Sequence, residues 1–215
     1  MLETNKIYCE NCLEGLKKIP DKSINLVFFD PPYNANKDYG IYKDNMLDEE
    51  YKYFMKEVIL ECKRISKNGI GLYCDSWRFK FFWDLIPEAE PIIIQIKANG
   101  FKNKYGVRSD HHIILTTAKS NKSISSVWEG IRVLREGYFF REAKFEHPAF
   151  TTLVGTKRFI ENFSEKDDIV LDCFIGVGTT AVACKELSRN FIGFEINQKY
   201  IDIANQRLNQ EVLIS

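Results

Sequence analysis

The sequence predicts an α/β fold built on a mostly parallel sheet with helices on both faces, and three observations carry that expectation. Short apolar runs rich in Val, Ile and Phe recur between stretches of helical periodicity, as at residues 24–29, 70–74 and 168–174. Apolar at successive positions rather than alternating, such runs suit strands buried on both faces. A glycine turn at residues 175–180 links the last of them to a helix, as in a parallel crossover. At 215 residues the chain suits one such domain and is short for two.

Taken in order, an apolar segment at 7–9, an amphipathic stretch at 12–19 and the Pro20-Asp21-Lys22-Ser23 turn lead into the strand at 24–29, a βαβ unit. Residues 34–47 hold Tyr39, Gly40 and Tyr42 without periodicity, and a loop of that length beside a site is expected to act as a lid. The clearest helix spans 48–66. Asp48, Glu49 and Glu50 favour its start, and Tyr51, Phe54, Met55, Val58, Ile59 and Cys62 repeat at helical spacing. Lys63, Arg64 and Lys67 suit its end, and Gly69 stops it.

The strand at 70–74 comes next, then a helix over 77–86 ended by Pro87, whose Phe79, Phe82 and Trp83 read as core. Strands at 92–96 and 112–117 flank a basic, aromatic loop at 97–110. His111 and His112, at a strand start and without a nucleophile motif, read as packing residues. Residues 119–146 are the least regular and are expected to form a short insertion that presents a binding surface. Regular alternation resumes with a helix at 154–163, a strand at 168–174, a helix at 181–187, a strand at 190–196 and a helix at 198–208. Seven strands are expected in all.

Thirty basic and thirty acidic residues cancel over the whole chain, but not locally. Residues 97–158 hold twelve bases against five acids, an excess of seven, which leaves the rest of the chain at −7. A basic region on an acidic body suits a polyanion docking at one place. The six cysteines do not form a framework. Cys9 and Cys12 make a lone C-x-x-C without a second pair at zinc spacing, so reduced thiols and no metal are expected. The sequence shows no charged-then-apolar leader and no apolar run approaching ~18 residues, so a soluble cytoplasmic protein is expected, with no membrane partner.

Two turns carry chemistry. At Asp30-Pro31-Pro32-Tyr33-Asn34 an apolar strand ends in an acid, two prolines, an aromatic and an amide. Prolines cannot donate to a ladder, so the strand stops and a stiff turn follows, at the strand ends where open α/β sheets bind ligands. A carboxylate, a bare carbonyl and a flat ring together suit a planar group bearing an amine. The alternative is a proline-capped strand end with a solvated Asp and a packing Tyr. The second turn is Gly176-Val177-Gly178-Thr179-Thr180, between the strand ending at Asp172-Cys173-Phe174 and a helix; Glu195 ends the next strand. Glycines allow close backbone approach, the helix start supplies donors, and the carboxylate can take a ribose diol. Such a site could hold NAD or S-adenosylmethionine. Only one more strand and helix follow it, so the remaining strands must come from the N-terminal part in a circularly permuted order, which argues against NAD.

Asp30-Pro31-Pro32-Tyr33 early and Phe174-Ile175-Gly176-Val177-Gly178-Thr179-Thr180 late resemble the DPPY and FxGxGTT motifs of the β-group of DNA amino-methyltransferases. Lys67-Asn68-Gly69, His147-Pro148 and the stretch from Arg189 to Glu195 are weaker matches. Three departures stand out: Thr151 in place of a lysine, Cys173 in place of a proline, and Asn11 where adenine-type members often place an Asp. The resemblance implies a Rossmann-like methyltransferase fold and methyl transfer from S-adenosylmethionine to the N6 of adenine, with N4 of cytosine as the alternative. An RNA or protein acceptor, or a non-catalytic DNA-binding subunit, stay open behind these. Asp30, Pro31, Pro32 and Tyr33 are then catalytic. Asp172, Phe174, Gly176, Gly178, Thr179, Thr180, Glu195, His147, Pro148 and Asp30 hold the cofactor, while Asn11, Tyr33 and Asn34 face the target base. Lys97, Lys102, Lys104, Arg108, Arg132, Arg135 and Arg141 contact double-stranded DNA. A homodimer and a cognate restriction endonuclease are the further partners the family suggests.

Overall fold

Leu26–Phe29 shows how the sheet is built, because its alternate residues enter two different cores. Val27 and Phe29 pack in one apolar cluster, and Leu26 and Phe28 in the other. The computed structural model describes residues 2–36, 44–74, 76–96, 111–131 and 153–209. Its strands are β1 (Lys6–Cys9), β2 (Leu26–Phe29), β3 (Ile70–Cys74), β4 (Glu90–Ile96), β5 (His111–Thr116), β6 (Val127–Ile131), β7 (Ile169–Asp172) and β8 (Asn190–Glu195). The helices are α1 (Cys12–Lys17), α2 (Asp48–Ile65), α3 (Phe79–Leu85), α4 (Leu153–Phe163), α5 (Thr179–Glu186) and α6 (Gln198–Asn209).

These strands form one sheet in the order β1-β8-β7-β2-β3-β5-β4-β6. The first five run parallel, and only β5 is antiparallel to its neighbours. Helices α1, α2 and α3 cover one face, where Leu16, Met55, Ile59 and Phe82 meet Val27, Phe29, Leu72 and Leu171. On the other face, Phe159, Ile160 and Ala181 of α4 and α5 meet Leu26, Phe28, Ile114 and Val170. Burial on both faces explains why these strands read as unbroken apolar runs.

The sheet has eight described strands, one more than the seven expected. The addition is β6, from residues expected to lie in an insertion. It pairs parallel with β4 through Val127 against Ile93 and Trp128 against Ile94. Trp128 is fully buried, and its indole N–H donates to the Ser125 carbonyl at 2.9 Å. Trp128 anchors this strand while Val127 beside it is exposed and Glu129 and Gly130 break the apolar run, too little for a periodic signal. The basic residues Lys97, Lys102, Lys104, Arg108, Arg132, Arg135 and Arg141 lie outside the described residues, as do His147, Pro148 and Thr151 and the centre of the expected lid at 37–43.

The permuted order has one consequence for the site. Leu26 and Val27 pair with Val170 and Leu171, although some 140 residues separate them in sequence. Because β1, β8, β7 and β2 run in the same direction, their carboxyl ends open on one edge of the sheet. Both motif turns start there.

Candidate active site

The turn after β2 is stiff and presents acceptors. Pro31 and Pro32 have fixed φ and no N–H. The Asp30 carboxylate accepts the Tyr33 hydroxyl through Oδ1 at 2.5 Å. Tyr33 is only 8% exposed, edge-on to Phe82 and Trp77 at centroid distances of 6.4 and 6.5 Å. In this arrangement Tyr33 packs beside the site and orients Asp30. The Tyr51 hydroxyl donates to the Pro32 carbonyl at 2.6 Å, and Arg78 Nε donates to the Tyr33 carbonyl at 2.9 Å.

Asn34 and the residues after it are fastened to Asp44. The Asp44 carboxylate accepts the Asn34 and Ala35 N–H groups, both at 2.8 Å, and its carbonyl accepts the Asn36 N–H at 2.7 Å. Asn34 adopts a left-handed φ of 55°, which asparagine tolerates, and its Nδ2 donates to the Met46 carbonyl at 2.9 Å. Its amide therefore belongs to the loop base, and Asn34 does not line the cleft expected to hold a target base.

The turn after β7 is permissive in its backbone. Gly176 and Gly178 have φ of 50° and 84°, and Gly178 forms the N-cap of α5. A Cβ at Gly178 would stand 2.7 Å from the Ala204 Cβ of α6, so glycine is required there for space as well as for backbone angle. Asp172 braces the turn: its Oδ1 accepts the Phe174 N–H at 2.9 Å and its Oδ2 accepts the Thr180 hydroxyl at 2.6 Å. From behind, the buried Arg207 donates to the Val177 carbonyl at 2.6 Å. Glu195, at the end of β8, accepts the Gly176 N–H on Oε2 at 3.1 Å and the Asn197 N–H on Oε1 at 2.8 Å.

One cleft joins the two turns. Asn11, Asp30, Pro31, Pro32, Tyr33, Asp172, Phe174, Gly176, Thr179, Thr180 and Glu195 all line it. Cys12, Met46, Phe54, Ile196 and Tyr200, which sequence reasoning did not place at a site, line it too. Asn11 caps α1, with its Oδ1 accepting the Leu13 N–H at 2.9 Å. Burial pushes the Asp172 carboxyl up to about 7, the Asp30 and Glu195 charges push the same way, and the Thr180 and Phe174 hydrogen bonds oppose it. Burial also raises Glu195. Three carboxylates converge, two of them costly to ionise, so a cationic ligand group would be welcome. The cysteines are free thiols; burial raises Cys12 to about 12 and Cys173 well above its ordinary value. No group of three or more His, Cys, Asp or Glu suited to a metal ion exists among the described residues, and no described helix is long and apolar enough to cross a membrane.

An acceptor turn and a glycine turn meeting across parallel strand ends suit the transfer of a group onto a planar amine. A family model described as DNA methylase matches residues 24–133 and 92–206, nearly the whole chain. The chain belongs to this DNA methylase family. The type II methyltransferase M.HinfI of Haemophilus influenzae is 31% identical over 253 residues, which cover 96% of this methylase and 68% of the relative. The crystal structure of an M1.HpyAVI–SAM complex is 23% identical, with a TM-score of 0.70 over 95% of this chain and 99% of that one. PvuII DNA methyltransferase, described as cytosine-N4-specific, is 20% identical with a TM-score of 0.75 over 100% and 89% of the two chains. Both solved structures share the fold of this methylase.

Proposed function

We propose that this methylase transfers the methyl group of S-adenosylmethionine to the exocyclic N6 of adenine in a short sequence of double-stranded DNA. The carrying observation is that Asp30 and Pro31, in a turn that offers acceptors, line the same cleft as the glycine turn and Glu195. The residues fit the cofactor. Gly176 lines the cleft with no side chain of its own, Glu195 suits a ribose diol, and the converging carboxylates suit a sulfonium and an ammonium; Gly178 packs against Ala204 behind the turn. When bound, S-adenosylmethionine supplies a methyl on a positively charged sulfur.

The residues act by positioning. An exocyclic amine conjugated to a ring is a poor nucleophile. The Asp30 carboxylate and the Pro31 carbonyl each accept one of its N–H bonds, which favours a pyramidal nitrogen with its lone pair aimed at the methyl. Orientation of this kind is worth roughly 7–11 kcal/mol. The base is flipped from the duplex at a cost of a few kcal/mol, and stacking on an aromatic side chain returns about 1–3. For Tyr33 to provide that stack, its ring must turn from its present packing. The basic residues between Lys97 and Arg141 contact phosphates and read the sequence.

N4 of cytosine is the second reading. Asn11 supports it: this residue lines the cleft from the cap of α1 and stands where the resemblance places an Asp in adenine-type members. Nucleoside mass spectrometry of DNA treated with the protein and labelled S-adenosylmethionine separates the two. N6-methyladenine is expected, N4-methylcytosine would overturn the base, and unmodified DNA would overturn the reaction.

A further inference from the structure

Two side chains outside the cleft fix the direction of the catalytic turn. Tyr51 is fully buried in the first turns of α2, and its hydroxyl holds the Pro32 carbonyl at 2.6 Å. Arg78, at the N-cap of α3, holds the next carbonyl, that of Tyr33, through Nε at 2.9 Å. The guanidinium centre lies 4.4 Å from the ring centroid of Trp77, 5.0 Å from Tyr51 and 5.4 Å from Phe81, and one terminal nitrogen stands 3.8 Å from Asp48. A planar fork seated among three rings has few other orientations, so its donor is preorganised.

Rotation of the peptide planes is the main freedom such a turn keeps once the prolines have fixed φ. Bonds to the carbonyls of residues 32 and 33 arrest that rotation. Among the described residues no donor reaches the Pro31 carbonyl, the remaining acceptor of the three, and Pro31 lines the cleft whereas Tyr51 and Arg78 do not. We infer that Tyr51 and Arg78 are positioning residues for methyl transfer: they hold two carbonyls back so that the Asp30 carboxylate and the Pro31 carbonyl keep the spacing an amine requires. The inference rests on the proposed transfer to an exocyclic amine.

Tyr51→Phe removes one hydroxyl and Arg78→Lys keeps the charge but loses the planar fork. Each is expected to lower kcat on DNA about tenfold, the cost of a lost hydrogen bond and a slightly misplaced acceptor. KM for S-adenosylmethionine and Kd for DNA should stay within about twofold, because neither residue lines the cleft and neither substitution removes a charge. The double variant should lose less than the product of the two, since both act on one turn. Wild-type kcat in Tyr51→Phe, or a raised KM at unchanged kcat, would overturn the inference. Should Arg78→Lys fail to fold, Tyr51→Phe decides alone. Wild-type protein that methylates no DNA would remove the underlying reading, and this inference with it.

Discussion

The two turns at the cleft solve opposite problems with opposite residues. The Asp30–Tyr33 turn is rigid in its own backbone: two prolines fix φ and delete N–H groups, leaving acceptors, and donors from α2 and α3 hold its carbonyls. The Gly176–Thr180 turn is permissive in its own backbone, with two glycines in the left-handed region, and is held by the acceptors Asp172 and Glu195. The first turn offers acceptors that can grip an amine; the second allows close backbone approach, while its Phe174 and Gly176 N–H groups are taken by Asp172 and Glu195. The two turns open side by side at adjoining parallel strand ends, one stiff and one permissive.

Substitutions that erase this division should do the most damage. Asp30→Ala removes the charged acceptor, so incorporation of labelled methyl into DNA should fall about 10³-fold. Cofactor affinity by calorimetry should change only a few-fold; turnover near the wild-type rate would exclude Asp30 from the mechanism. Gly178→Ala attacks the other turn. A left-handed φ costs an L-residue about 1–2 kcal/mol and overpacking against Ala204 about 1–3 more, so urea unfolding should show a loss of roughly 2–4 kcal/mol. Cofactor binding should weaken with it.

A pH experiment addresses the brace of the glycine turn. The Asp172 carboxyl is raised from its ordinary 3.8 to about 7, so the native state holds a proton that the unfolded chain releases. Its contribution to folding is full below 3.8, is lost as pH rises towards 7 and is constant above that. Asp172→Asn should therefore gain stability relative to wild type from about pH 4 to about pH 8, read from urea midpoints of both proteins. A pH-independent gap between the two would refute it. The smallest effect belongs to Asn11→Asp. Aspartate caps a helix as well as asparagine does, so stability should stay within about 0.3 kcal/mol, and any change should appear in the ratio of methylated bases.

Much of this was legible because it is local. The strand at Ile70–Cys74, the acidic start of α2 and both turns are written in contiguous residues whose proline, glycine and apolar content dictates backbone behaviour. The illegible parts depend on distant partners. Tyr51 sat in the sequence as one more apolar position of a helical stripe, and Arg78 as an unremarked base, yet each finds a carbonyl 19 or 45 residues away. Asn34 looked free to meet a base until Asp44 and Met46 claimed its backbone and amide. Arg207 gave no sign that it would support a glycine turn 30 residues earlier.

The Asp44 contacts also tie a knot of sorts just past the Asp30–Tyr33 turn. The chain leaves the catalytic turn at Asn36 and is back, hydrogen-bonded to its point of departure, by Asp44. Three hydrogen bonds to this one residue hold the exit of the Asp30–Tyr33 turn. Loop length itself is cheap, with each doubling costing about 0.6 kcal/mol in closure entropy. Changes in the number of residues between Asn36 and Asp44 should therefore cost little in urea unfolding, whereas Asp44→Ala removes two of the three bonds.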